Sequence, residues 1–107
     1  MKLAQMIFNI TTNFPEDEGF GLVSQMRRAA VSIPSNIAEG AARQGKKEFR
    51  NFLSMAQGSL SELDTQLELC AMLGYTSDEN LDEISSLALR IDKMLTGLIR
   101  SLSSPSA

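Results

Sequence analysis

Residues 32–50 read SIPSNIAEGAARQGKKEFR. Ile33, Ile37 and Ala41 recur here at helical spacing. The same face continues upstream through Ala30, Ala29, Met26 and Leu22, so one amphipathic helix is predicted from about Leu22 to the RQGKK segment. Gly45, following the basic Arg43, has the character of a helix end. From Lys46 a new apolar face starts: Phe49, Phe52, Leu53, Ala56, Leu60, Leu63, Leu67 and Cys70 predict a long helix to Leu73. Pro34 lies inside the upstream helix, where a missing N–H and a bulky ring bend the axis. The stretch is thus a Pro-kinked helix, a tight turn and the start of its antiparallel neighbour.

Outward from this pair, Leu3, Met6, Ile7, Ile10 and Phe14 mark a short first helix ending before FPEDEG, whose Pro, acids and Gly make a turn. Downstream, Gly74 is a helix stop, and Thr76 with Glu79 is a candidate capping box for a fourth helix. That helix carries Leu81, Ile84, Leu87, Ala88, Ile91, Leu95, Leu98 and Leu102, and residues 104–107 read as a frayed tail. With no strand alternation of useful length, the expectation is all-α: an antiparallel up-down-up-down four-helix bundle in a single domain, residues 1–103. The first helix, at about twelve residues, is marginal in length. It leaves apolar surface on its longer neighbours, which predicts a partner, most simply a second copy.

Composition narrows the function. The chain of 107 residues is 43% hydrophobic and 21% charged, ordinary for one globular domain and unlike a disordered segment. It has no histidine, which removes the usual general base and the commonest metal ligand, so triads and zinc sites are not expected, nor is any cofactor. The single cysteine, Cys70, cannot form an internal disulfide and suits a reducing compartment as a buried, inert thiol. Neither a secretory signal nor an apolar run long enough to span a membrane is evident, so a soluble cytoplasmic protein is expected, with no small-molecule substrate implied.

Charge is unevenly placed. Arg27, Arg28, Arg43, Lys46, Lys47 and Arg50 stand against only Glu39 and Glu48 between positions 27 and 50, a local +4 in a chain of net charge −3. The four cations of RQGKKEFR surround a helix junction and are candidates to hold a phosphate backbone, whether of RNA or DNA; the alternative is an ordinary solvated face. Repeated around a symmetric oligomer, such a patch sums to a ring of positive potential. No aromatics interleave it, which argues against base stacking on single strands.

A polar stripe borders the core face of the second helix. At about 100° per residue, Gln25, Arg28, Ser32, Asn36, Glu39 and Arg43 share an arc roughly 80° wide. On the third helix Glu48, Ser59, Glu62 and Gln66 form a counterpart. The two edges could meet, Arg28 or Arg43 pairing with Glu62 or Glu48, and Asn36 with Gln66. One reading is a satisfied polar seam between helices or subunits that sets register. The other makes Asn36, Glu39 and Arg43 a recognition cluster. A hydrolytic role for Glu39 lacks a nucleophile or metal beside it, so a non-enzymatic protein is expected.

Residues 14–75, with GLVSQMRRAAVSIPSNIAEGAAR followed by AQGSLSELDTQL, closely resemble the four helix bundle protein family, also called 23S rRNA-intervening-sequence protein. The accessory variability determinant of diversity-generating retroelements belongs to the same family. The match places Arg28, Ser32, Pro34, Asn36, Glu39, Gly40, Arg43, Gly58, Ser59 and Glu62 on the family's signature positions. The resemblance implies a four-helix bundle that commonly forms a ring-like pentamer. For the retroelement member it also implies a basic protein that binds nucleic acid and a reverse transcriptase. This chain departs in its acidic balance and in a first helix that reads as truncated. The expected function is a homo-oligomeric adaptor for RNA, DNA or a nucleic-acid-handling protein; the alternative is a protein-binding module indifferent to nucleic acid.

Overall fold

In the computed structural model the chain is all-helical, and residues 1–103 are described, apart from the side chains of residues 19 and 20. The tail expected at 104–107 lies outside the described residues. Helix α1 spans Lys2–Thr11, α2 Ser24–Ala41, α3 Lys46–Leu73 and α4 Asp78–Ser103. Each packs on the next, and α1 also packs on α4, so the four stand in cyclic order as an antiparallel bundle measuring 52 × 24 × 18 Å. The core is aliphatic: Leu3 and Ile7 from α1, Met26 and Ile33 from α2, Leu53 and Leu63 from α3, and Ile84 from α4 are all essentially inaccessible.

Boundaries follow the local chemistry, with some departures from expectation. Helical backbone precedes α2 earlier than Leu22: Glu16–Glu18 form a turn of 3-10 helix and Gly19–Val23 a wide π-type turn that runs directly into α2. Phe14 lies beyond α1 rather than on it, and packs its ring 5.2 Å from that of Tyr75, closing this end of the bundle. At the end of α3, Gly74 takes φ +69°, the left-handed conformation that glycine adopts without a Cβ penalty. The cap of α4 is Ser77 instead of Thr76: the Asn80 N–H donates to Ser77 Oγ at 3.1 Å, while Thr76 Oγ1 accepts from the Asn80 side chain.

Two residues assigned to core faces are displaced. Ala41 is exposed, and the buried position at the end of α2 is Gly40. Leu98 is also exposed, because α1 is too short to cover the last turns of α4; Ile99 and Leu102 pack against the core there. A ten-residue helix reaches about 15 Å, whereas the 28 residues of α3 reach about 42 Å.

Candidate nucleic-acid interface

Every cation of the candidate patch rides on α2 or α3, so helix geometry decides which of them meet. Arg43 is in the α2–α3 turn, and Lys46, Lys47 and Arg50 follow in the first turns of α3. Arg27 and Arg28 sit fifteen or more residues earlier, about 22 Å away along α2. Proximity in sequence therefore divides into two groups in space. Because α4 runs antiparallel to α3 and Gln57 bonds both Asp92 and Thr96, the last turn of α4 brings Arg100 to the same end as Lys47 and Arg50. Sequence clustering could not find Arg100, which is fifty residues downstream; only the antiparallel pairing signals it.

The first turn of α3 is chemically unusual. Gly45 supplies no side-chain cap, and Lys46 and Lys47 occupy the positions where the helix macrodipole favours acids; Glu48 is the one acid of that turn. N–H groups without a side-chain cap at a helix N-terminus suit an anion. From the turn Arg43 reaches back to pair with Glu39 at the end of α2, and its guanidinium lies 5.3 Å over the Phe52 ring. Lys46, Lys47 and Arg43 are exposed, and Arg50 is half-buried.

Arg27 behaves differently. Its Nε donates to Thr11 Oγ1 at 2.9 Å and its guanidinium lies 4.8 Å from the centre of the Phe8 ring, fastening α1 to α2. Thr11 is buried and also donates to the Ile7 carbonyl. Arg28, next in sequence, is exposed and has no ion-pair partner among the described residues.

The polar stripe meets α3 through hydroxyls and not through charges. Ser32 Oγ and Ser59 Oγ are 2.9 Å apart, and Asn36 Nδ2 donates to both the carbonyl and the hydroxyl of Ser32, at 2.8 and 2.9 Å. The expected pairings of Arg28 or Arg43 with Glu62 or Glu48, and of Asn36 with Gln66, do not form. Arg43 takes Glu39, and Gln66 donates to Glu62 one turn away on its own helix at 3.3 Å. Short side chains win at this seam because the helices approach too closely for long ones. A Cβ built on Gly40 would fall 2.6 Å from Phe52 Cβ and 3.0 Å from Phe49 Cδ1. The hydroxyl bridge two turns earlier is the polar continuation of that approach. Gln25 is exposed, and Gln66 is buried with its Oε1 unpartnered among the described residues. Pro34 sits within a continuous α2; without an N–H it leaves the Ala30 carbonyl without its usual donor.

Glu39 is exposed and committed to Arg43. Burial pushes the Cys70 thiol up to about 11, and its sulfur lies 3.5 Å from Met26 Sδ inside the core. Among the described residues no group of three His, Cys, Asp or Glu could hold a metal ion, and no helix is long and apolar enough to cross a membrane.

Fold and seam together define a class: a small antiparallel four-helix bundle whose second and third helices are locked by a glycine contact and a serine bridge. The sequence profile of the 23S rRNA-intervening sequence protein family matches residues 1–97, and the chain belongs to that family. Among solved structures it is similar to a protein of unknown function from the S23 ribosomal protein family of Bacteroides thetaiotaomicron VPI-5482, with 29% identity, 92% of each chain covered and a TM-score of 0.82. Comparison with curated proteins finds no match.

Proposed function

We propose that the protein is a non-enzymatic, homo-oligomeric accessory protein that holds a nucleic-acid backbone at the α2–α3 end of the bundle. The observation that carries this reading is the placement of Lys46 and Lys47 on the uncapped N-terminus of a 28-residue helix, with Arg43 and Arg50 within a turn. Cations there oppose the helix dipole, and a phosphate relieves that repulsion while accepting from the N–H groups. The net charge of −3 confines attraction to this end and repels nucleic acid elsewhere. Oligomerisation is supported by apolar side chains that α1 leaves uncovered, Met94 at 72% and Leu98 at 39% exposure on α4.

Filter binding to a structured RNA at several salt concentrations tests the proposal. Three to four phosphate contacts are expected to give a slope of log K against log salt of about −3 for duplex RNA, by analogy with duplex DNA. Replacing Lys46, Lys47 and Arg50 with Ala is expected to abolish binding and flatten the slope. Binding that is absent at low salt, or that survives the triple substitution, overturns the reading in favour of a purely protein-binding module.

A further inference from the structure

The groove between α3 and α4, on a different face from the basic end, has an apolar floor formed by Leu60, Leu67, Ala88 and Leu89 and encloses about 450 Å³. Asp64 and Glu68 stand one turn apart on its α3 rim, and Asp92 lines it from α4 at the level of Gln57. Asp92 accepts a hydrogen bond from Gln57, whereas Asp64 and Glu68 have no ion-pair partner among the described residues. Leu89 is 55% exposed in it. An occupant must therefore be apolar at its centre and positively charged beside that centre.

The outer edge of α2 has that chemistry. Val31 is 45% exposed, and Arg28, one turn before it, is exposed and has no ion-pair partner among the described residues. Beside these two stand the small, exposed Ser24, Ser35 and Ala38, which allow a helix to settle against another surface. Height along the bundle also agrees. Met26 touches Cys70 and Ser32 touches Ser59, so Arg28 stands level with the part of α3 that carries Asp64. A rotation about an axis parallel to the bundle preserves height, so one copy's Arg28 arrives opposite another copy's Asp64 without axial shift.

We infer that the α3–α4 groove receives the α2 edge of a second copy of this chain, Val31 covering the apolar floor and Arg28 pairing with Asp64 and Glu68. The contact joins two different surfaces, so each copy donates one and receives on the other, and closure makes a ring. All the basic ends then lie on one rim of that ring. The inference rests on the homo-oligomeric reading above and specifies its interface.

Native mass, measured by light scattering across a dilution series, tests it in four proteins: wild type, R28E, the pair D64R and E68R, and all three together. Circular dichroism and thermal melts of each confirm the fold, since all three positions are on the surface. The wild type is expected to be an oligomer, both charge-reversed proteins to weaken it by on the order of 100-fold in dissociation constant, and the combined protein to recover assembly. A monomeric wild type sinks the oligomeric reading and this interface together. An oligomer unaffected by either reversal, or one that both reversals dissociate and the combination does not restore, overturns the interface alone.

Discussion

The two long seams of the bundle share helix α3 and differ in how closely its partner approaches. At the α2–α3 seam Gly40 admits the Phe52 backbone region to within a distance that forbids a Cβ, and the Ser32–Ser59 bridge replaces the long charged pairs one would expect at a helix edge. At the α3–α4 seam Gln57 reaches across to Asp92 and Thr96, and beyond that clasp the helices part to leave an acid-rimmed groove. The first seam finds its hydroxyl and amide partners within one chain, Gln66 Oε1 excepted among the described residues. The second carries carboxylates at Asp64 and Glu68 that have no ion-pair partner among the described residues, beside the exposed Leu89. Residue size sets the difference: glycine and serine let backbones touch, whereas longer side chains hold them apart.

The largest test of this contrast is Gly40→Ala. A methyl group 2.6 Å from Phe52 Cβ must push α3 outward, and a loss of about 2 kcal/mol is expected even after the better helix propensity of alanine is counted. In a domain of this size that lowers Tm by on the order of 10 °C; an unchanged melt would mean the seam is looser than described. Ser32→Ala and Ser59→Ala should each cost about 1 kcal/mol in urea unfolding, and the double substitution less than their sum, because the second loses an interaction already broken. Strict additivity would show that the hydroxyls do not bridge.

Gly58→Ala reverses the sign. Gly58 is on α3 too, but nothing lies within 4 Å of its would-be Cβ, so alanine should stabilise by about 0.5–1 kcal/mol through propensity alone. The same substitution at Gly97 is expected to act alike. Smaller still, Lys47→Glu at the start of α3 should stabilise by about 0.3–1 kcal/mol in low salt while weakening RNA binding. Stability and affinity moving in the same direction would remove the basis for an anion site at this end.

Cys70, buried against Met26 in the closed seam, adds a pH dependence that vanishes near neutrality. Burial holds its thiol protonated to about 11, so in the folded protein it resists ionisation while the unfolded chain releases its proton from about pH 9 upward. Its contribution is complete below that pH and is lost as pH rises towards 11. Urea midpoints of the protein and of Cys70→Ala should accordingly converge across this window, and a constant difference would indicate a thiol in contact with solvent.

Much of the bundle is legible in the sequence. The third helix runs from Lys46 to Leu73 as its apolar spacing and Gly74 indicate, and Gly40 and Pro34 stand within a helix that neither ends. Periodicity suffices there because burying an apolar stripe is a one-dimensional property of a helix. Caps were less legible: Thr76 and Ser77 are equally able to accept from a helix N-terminus, and one residue of backbone geometry chose Ser77. The stripe on α2 was visible as a stripe, but its partners were not. Angular position says that Asn36 and Arg43 border the core, and it cannot say that the helices come close enough to exclude an arginine–glutamate pair.

By itself, then, the sequence determined an all-helical chain, its turns, its aliphatic core and the absence of histidine chemistry, all of which follow from residue type and spacing. Tertiary structure alone decided that Arg27 fastens α1, that Arg100 joins the basic end, that Ser32 meets Ser59 and that α3 and α4 part to form a groove. Those outcomes depend on distances between residues far apart in the chain. Such distances are set by how closely two backbones pack, which no single helix carries in its own pattern.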